Sequence, residues 1–305
     1  MVITCPSCEG ERERSLGRIP QMDIFAGNRL IEPPPVGNLY TCETCNLWFK
    51  WPTYSKAAFA QLYDEGADTQ WNYTKSRRED WGIAVNYLKS YTNEGAILDV
   101  GCWSGNFLKQ ISSKWEKFGI EINQAACQKA RGLGINILAR DIDGVKAKNK
   151  MDVVTAFDVI EHIETPYKFM HSLLNLTKEG GAIIISTGNT EIFPWRVARS
   201  KFLYCANPEH VSFFNLRWFR YIAERLNFAI ENFSTHCHSQ TPGILKVFSG
   251  SVKNLVYLAT PSVFTLGREV KHRLRGSYDK ERSYNYPPLW NWYADHFIVI
   301  LKKKN

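Results

Sequence analysis

Apolar and polar positions change period several times along the chain, most abruptly at Ile97-Leu-Asp-Val-Gly101. Ile97, Leu98 and Val100 form the short apolar run of a buried parallel strand, and Phe107, Leu108, Ile111 and Trp115 then recur at helical spacing. Strand, glycine turn and helix are therefore predicted in succession. Later apolar runs predict further strands at Phe118–Glu121, Ile135–Leu138, Asp152–Phe157, Ala182–Thr187, Phe228–Thr235 and His296–Leu301. Helical signals alternate with them. Asn123 reads as an N-cap, Thr165-Pro166 as a cap followed by an N1 proline, and Asn215 as the opening of a helix with Phe219, Ile222, Ala223 and Leu226 on one face. Such alternation predicts an α/β fold with a parallel sheet covered on both faces.

The turn after the first of these strands carries Gly101 and Gly105, where a missing Cβ lets the backbone approach a ligand. It lacks the G-x-G-x-x-G spacing of a pyrophosphate site. Instead Asp99 stands two residues before the first glycine, where a carboxylate suits a ligand with a cationic ammonium group. Glu121, twenty-two residues after Asp99, ends the second strand and is placed to accept ribose hydroxyls. Asp141 follows the third strand, where it suits the exocyclic amine of an adenine.

Over roughly residues 93 to 235 the chain resembles the class I S-adenosylmethionine-dependent methyltransferases. It has Asp99, Gly101 and Gly105 of their D-x-G-x-G-x-G motif, with Trp103 at the middle glycine, and Asp152-Val-Val-Thr-Ala-Phe-Asp-Val-Ile-Glu-His162 at the fourth strand and its turn. The resemblance implies a Rossmann-like, seven-stranded, mostly parallel sheet. It implies a cofactor site of Asp99, Gly101, Cys102, Trp103 and Gly105 in the first turn, Glu121 and Ile122 after the second strand, Asp141 and Ile142 after the third, and Phe157 and Asp158 after the fourth. In the family the last two strands form a hairpin, so residues 238–292 are a long insertion before the last strand. The methyltransferase domain would then comprise 93–237 and 293–305.

Two C-x-x-C pairs, Cys5/Cys8 and Cys42/Cys45, are spaced to wrap a tetrahedral ion and leave no open position. A structural Zn2+ in a ribbon over 1–52 is expected, with Pro33-Pro-Pro35 in an extended loop. A redox role needs a lone C-x-x-C beside a β-α-β unit. Residues 53–92 read as helical, with Phe59, Leu62 and Tyr63 in one segment and Ile83, Ala84, Tyr87 and Leu88 in another. Trp71, Tyr73, Arg77, Arg78 and Trp81 cluster between them and suggest a lid over the cofactor or a packing layer against the ribbon.

Charge changes the picture in one place. Of a formal +8 over 305 residues, +5 lies in residues 246–282. There Leu255, Val256, Leu258, Val263, Phe264 and Leu266 precede Arg268, Lys271, Arg273 and Arg275, which fits a helical hairpin interrupted at Pro261. The segment suits peripheral contact with an anionic membrane or a phosphate-bearing substrate, or is a solvated basic face. No apolar run approaches the ~20 residues of a membrane span, and no signal-peptide pattern is present, so a cytoplasmic protein is expected.

Three residues qualify as proton acceptors: Glu161 and His162 after the fourth strand, and His210 in Asn207-Pro-Glu-His-Val-Ser-Phe-Phe214. Imidazole can take a hydroxyl proton near neutral pH, which suits O-methylation. The expected acceptor is a small molecule or a sugar or glycan, a polysaccharide or lipid-linked precursor among them. A pI near 9.0 and the ribbon also fit RNA methylation, but no Asn/Asp-Pro-Pro-Tyr segment follows the fourth strand to stack a flipped base. Trp103 admits a third reading, an inactive binding protein on the same fold.

Overall fold

The computed structural model describes residues 3–25, 28–30, 37–53, 59, 62, 78–145, 150–237, 244–290 and 294–304. The chain opens with β1 (Glu13–Arg18), a short pair β2 (Ile24–Phe25) and β3 (Asn28–Arg29), then β4 (Asn38–Cys42) and β5 (Trp48–Trp51). Helix α1 (Glu79–Tyr91) leads into β6 (Gly95–Val100), β7 (Trp115–Ile120), α2 (Gln124–Gly132), β8 (Asn136–Ala139) and β9 (Met151–Phe157). There follow α3 (Pro166–Leu176), β10 (Thr177–Gly188), α4 (Phe193–Ala198), α5 (Leu203–Ala206), β11 (Ser212–Phe213), α6 (Leu216–Arg225) and β12 (Phe228–His236). The insertion contributes α7 (Ile244–Ala259) and α8 (Pro261–Leu274), and β13 (His296–Lys303) closes the chain.

Seven strands form the central sheet in the order β12-β13-β10-β9-β6-β7-β8. Strands β6 to β10 run parallel, and β13 pairs antiparallel with both β10 and β12. Both faces are covered, which is why β9 is buried almost throughout and β10 is buried without a break from Gly181 on, rather than alternating. One face packs Phe169, Leu173 and Leu176 of α3 and Phe219 and Ile222 of α6; the other packs Trp81, Ala84 and Leu88 of α1. Asn123 and Asn215 cap their helices by accepting the backbone N–H of Ala126 and Trp218. Pro166 occupies the first turn of α3, but the Thr165 side chain makes no capping bond.

The structure differs from the helical reading after Gly105. Leu108–Gln110 form a single 3-10 turn, and Trp115 already begins β7. The crossover between parallel β6 and β7 spans only residues 101–114, close to the dozen that such a connection needs at minimum. Phe107, Leu108, Ile111 and Trp115 are nevertheless all buried in one cluster. Their spacing reported burial, not helical periodicity.

Helix α1 packs on the sheet through Trp81, Ala84 and Leu88, while Arg78 at its N-cap lines the cavity described below. Trp81 sits 5.9 Å from Phe107 and 6.4 Å from Phe157, in the core of the sheet domain. Trp71, Tyr73, Arg77, Tyr63 and Pro33–Pro35 lie outside the described residues.

The ribbon shares its sheet with the rest of the chain. Its order is β1-β4-β5-β11, so the last strand comes from residues 212–213, paired antiparallel as Ser212 with Phe49 and Phe213 with Trp48. Cys5, Cys42, Cys45, Leu47 and Phe49 belong to the same apolar cluster as Trp218 and Phe219. Trp218 Nε1 donates to Ser7 Oγ at 3.0 Å and Asn215 Nδ2 to the Asn46 carbonyl at 3.0 Å. The insertion forms two helices divided at Thr260-Pro261, between the antiparallel partners β12 and β13. Among the described residues no helix is long and apolar enough to cross a membrane.

Candidate active site

A cavity of about 800 Å³ opens at the carboxyl ends of β6, β7 and β9. That edge is where α/β sheets bind ligands, because the strand-to-helix turns leave backbone groups and short loops there. The amino end of antiparallel β13 reaches the same edge and brings His296 with it.

At one end of the cavity lies the first glycine turn. Gly101 has φ +72 and a Cβ there would stand 2.6 Å from Val159 Cγ2. At Gly105, φ +81, it would stand 2.2 Å from Ile135 Cδ1, so this glycine serves packing of the turn against the third-strand layer. Trp103, at the position of the motif's middle glycine, takes the left-handed conformation, φ 47, at a cost of about 1–2 kcal/mol for an L residue. Its N–H donates to Glu121 Oε2 at 2.8 Å. Glu121 Oε1 accepts the N–H of Asn123, also at 2.8 Å. One carboxylate thus ties two loops together, and each oxygen retains a lone pair. Burial pushes the Glu121 carboxyl up, and the backbone N–H groups of Asn123, Trp103 and Ile122 oppose that rise.

Gly101, Trp103, Glu121, Ile122, Asp141, Ile142, Phe157, Asp158, Glu161, His162 and His210 all line the cavity. Asp99, Cys102 and Gly105 are not on the wall that the described residues form. Asp99 is buried behind the turn, its Oδ1 accepting from Thr155 Oγ1 at 2.7 Å, and burial lifts it to about 7. Thr155 of β9 thus holds one oxygen of the carboxylate expected to face an ammonium group. Cys102 Sγ fills the space over Gly119. Asp141 caps the short turn Ile142–Gly144 through a 2.8 Å bond from the Gly144 N–H. Asp158, with φ 54, pairs with Arg78 Nη1 at 2.7 Å, and Arg78 also bridges to Asp80.

The other end of the cavity holds the proton-transfer candidates. Glu161 accepts from Tyr204 OH at 2.6 Å and Thr187 Oγ1 at 2.9 Å. Burial, and then the negative charge of Asp158, pushes its carboxyl up to about 7. His162 Nδ1 lies 3.1 Å from the Glu209 carbonyl and His210 Nδ1 3.1 Å from the Tyr204 carbonyl. A carbonyl only accepts, so each bond assigns the proton to Nδ1 and leaves Nε2 with its lone pair. The two rings are 4.9 Å apart. Burial lowers both pKa values, His210 well below its ordinary value with His162 and Lys50 adding to the effect. Both imidazoles are neutral at pH 7.

Three wall residues escaped the sequence reading: Tyr204, Glu209 and His296. Glu209 Oε2 is buried without a hydrogen-bond partner among the described residues, and burial raises its carboxyl. Burial lowers His296, but Asp295 and Asp158 outweigh this and its pKa is raised. The signal for His296 was topological, since an antiparallel last strand begins where its parallel neighbours end. Tyr204 and Glu209 had none beyond their nearness to His210. Lys50 of β5 reaches the same loop and donates to the Asn207 carbonyl.

Two groups of side chains are close enough to share an ion. Glu161, His162 and His210 offer ligand atoms within 4.8 Å of one another, as do Cys5, Cys8, Cys42 and Cys45. In the second group Cys5 and Cys45 sulfurs stand 3.6 Å apart and Cys8 and Cys42 sulfurs 3.5 Å. A disulfide requires about 2.05 Å, whereas a tetrahedral ion with Zn–S of about 2.3 Å sets sulfurs about 3.8 Å apart. The four thiols fit an ion, not two disulfides.

A family model described as a methyltransferase domain matches residues 73–232. A ubiquinone biosynthesis O-methyltransferase of Rickettsia canadensis is 34% identical over 100 residues, 30% of this chain and 42% of that relative. One from Rickettsia bellii is 31% identical over 121 residues, 35% of this chain and 50% of the relative. The matches thus span half or less of these curated relatives' length. The solved structure of a phospholethanolamine N-methyltransferase 2 from Haemonchus contortus is similar in fold, with a TM-score of 0.50 at 15% identity, covering 85% of this chain and 63% of the other.

Proposed function

Because the chain belongs to the methyltransferase-domain family, we propose that it transfers a methyl group from S-adenosylmethionine to a hydroxyl oxygen of a small-molecule acceptor. The observation that carries this reading is one cavity with Glu121 and Trp103 at one end and two neutral imidazoles at the other. The residues fit the cofactor. The free lone pairs of Glu121 suit two ribose hydroxyls, Ile122 and Ile142 supply apolar walls for a base, and Asp141 suits its exocyclic amine. When bound, the sulfonium supplies the methyl group and its driving force.

The chain's own part is orientation and proton removal. His162 or His210 accepts the acceptor's hydroxyl proton at Nε2, while Glu161 fixes Tyr204, whose carbonyl in turn sets the His210 tautomer. Glu209, with an unpartnered buried oxygen, suits a second acceptor hydroxyl. Together with the aromatic surfaces of Trp195, Phe202 and Trp290, this lining favours a hydroxylated ring. A sugar or glycan unit, free or lipid-linked, is the finer reading. Cys5, Cys8, Cys42 and Cys45 would hold a structural Zn2+ as thiolates.

Calorimetric titration with S-adenosylmethionine and S-adenosylhomocysteine, followed by a methyl-transfer screen over phenols, sugars and glycans, tests the proposal. Micromolar cofactor binding with transfer to oxygen supports it. No binding to either compound refutes it, and transfer to RNA in place of a small molecule replaces the acceptor class.

A further inference from the structure

Helices α7 and α8 carry an outward face that the rest of the described chain does not cover. Along α7 the packed side is Gly250, Asn254 and Tyr257. Asn254 holds the Leu289 carbonyl, and Trp290 Nε1 donates to Ser251 Oγ. The opposite arc is Ile244, Leu245, Phe248, Val252, Leu255 and Val256, about a third of the circumference at 3.6 residues per turn. Its exposure is extreme: 87% at Ile244, 84% at Leu245 and 69% at Phe248. On α8 the matching arc is Val263, Leu266, Val270 and Leu274, the last 84% exposed. An amphipathic helix normally turns its apolar arc toward a protein core, whereas these two turn theirs outward.

Charge identifies what covers this face. No acid occurs on α7, and Glu269 is the one acid on α8. Exposed Lys246 and Lys253 border the apolar arc of α7, and exposed Lys271, Arg273 and Arg275 accompany that of α8. Arg268 is not available, being stacked 3.9 Å from the Tyr286 ring and bonded to the Tyr284 and Tyr286 carbonyls. An apolar arc bordered by cations is the pattern of a helix lying in the plane of an anionic lipid interface.

We propose that the α7–α8 hairpin docks the protein on an anionic phospholipid surface, with the two apolar arcs inserted at the acyl boundary and the bordering cations against the headgroups. This holds whether or not the cavity transfers methyl groups. The hairpin clasps Leu289 and Trp290, which line the cavity, so docking brings the cavity rim beside the lipid.

The test is co-sedimentation of the full chain with vesicles of phosphatidylglycerol and phosphatidylcholine, and with phosphatidylcholine alone. Partition into the anionic vesicles is expected, weakening with added salt. Leu245→Asp with Phe248→Asp, and separately Lys271→Glu with Arg275→Glu, should each reduce it about tenfold or more. Near-ultraviolet dichroism identical to the wild type would show that these exposed substitutions leave the fold intact. The proposal is overturned by absence of binding to anionic vesicles, by equal binding to phosphatidylcholine, or by indifference to both variant pairs. It is equally overturned if sedimentation shows a dimer that the Leu245→Asp, Phe248→Asp variant dissociates, because the face would then belong to a second copy of the chain.

Discussion

Exchanging Glu121 for glutamine and, separately, Asp99 for asparagine discriminates between the two acids that the sequence assigned to one ligand. Glu121 accepts two backbone N–H bonds at 2.8 Å and faces the cavity. In Glu121→Gln the side chain keeps its shape, but one oxygen becomes an amide donor that confronts the Trp103 or Asn123 N–H. A charge-assisted bond contributes about 1.5–3 kcal/mol and a neutral one about 0.5–1.5. Relief from burying the charge, which raises this carboxyl's pKa, offsets part of the loss to the fold. For a bound ribose, exchanging charged for neutral acceptors at its hydroxyls leaves a deficit of about 2 kcal/mol, ~30-fold in Kd. Asp99→Asn should behave differently. Its Oδ1 accepts one bond from Thr155, an amide oxygen can take the same bond, and the carboxyl already sits at about 7. Cofactor Kd in that variant should change by less than ~3-fold, under 1 kcal/mol. Calorimetry of S-adenosylhomocysteine with both variants, alongside thermal melts, reads the two effects separately. Equal losses of affinity in the two variants, or unchanged affinity in Glu121→Gln, would refute the assignment of the ribose to Glu121.

Substituting His162→Gln and His210→Gln one at a time should lower kcat on the order of a hundredfold or more in at least one case, with cofactor Kd unchanged; single-turnover rates within threefold of wild type in both would remove the general base. His210 is held neutral, below an unfolded value of about 6.5, so the unfolded chain binds the extra proton and stability from this group is present above that pH and lost as pH falls through it. Melting temperature should therefore drop from pH 7 to pH 5 less steeply in His210→Gln than in the wild type, and parallel curves would contradict the neutral assignment. Chelation, or Cys45→Ser, should abolish methyl transfer before it abolishes cofactor binding, because β5 supports the His210 loop and not the Glu121 end; simultaneous loss of both, measured by transfer assay and calorimetry on the same sample, would argue against that separation.

Strand positions were legible because a sheet covered on both faces demands apolar runs, and 97–100, 152–157 and 182–187 have little else. Asparagine caps at 123 and 215 were equally legible, being local chemistry between a side chain and the third N–H onward. The 3-10 turn at Leu108 was not, since i, i+4 spacing arises from any buried loop that folds back on a core. Of the site, the residues at strand ends could be read from their register. Tyr204 and Glu209 could not, because they act through a loop whose path depends on pairing between residues 212–213 and 48–49. Asp99 could be placed at its strand end, but its bond from Thr155 could not, because that bond depends on which strand pairs alongside.

That pairing also bears on synthesis. Strand β5 ends at Trp51, while the partner that completes its edge, Ser212–Phe213, is more than 160 residues further on. At 5–20 residues per second a ribosome needs roughly 8–32 seconds to deliver it. Throughout that interval the nascent ribbon carries an open strand edge, the kind of template that recruits other chains. An ion gathered early by the four cysteines would fix the knuckles but leave this edge bare. Codon-level pausing between the two segments, or stress that slows elongation, should therefore raise the load of misassembled chains without altering any residue of the finished protein.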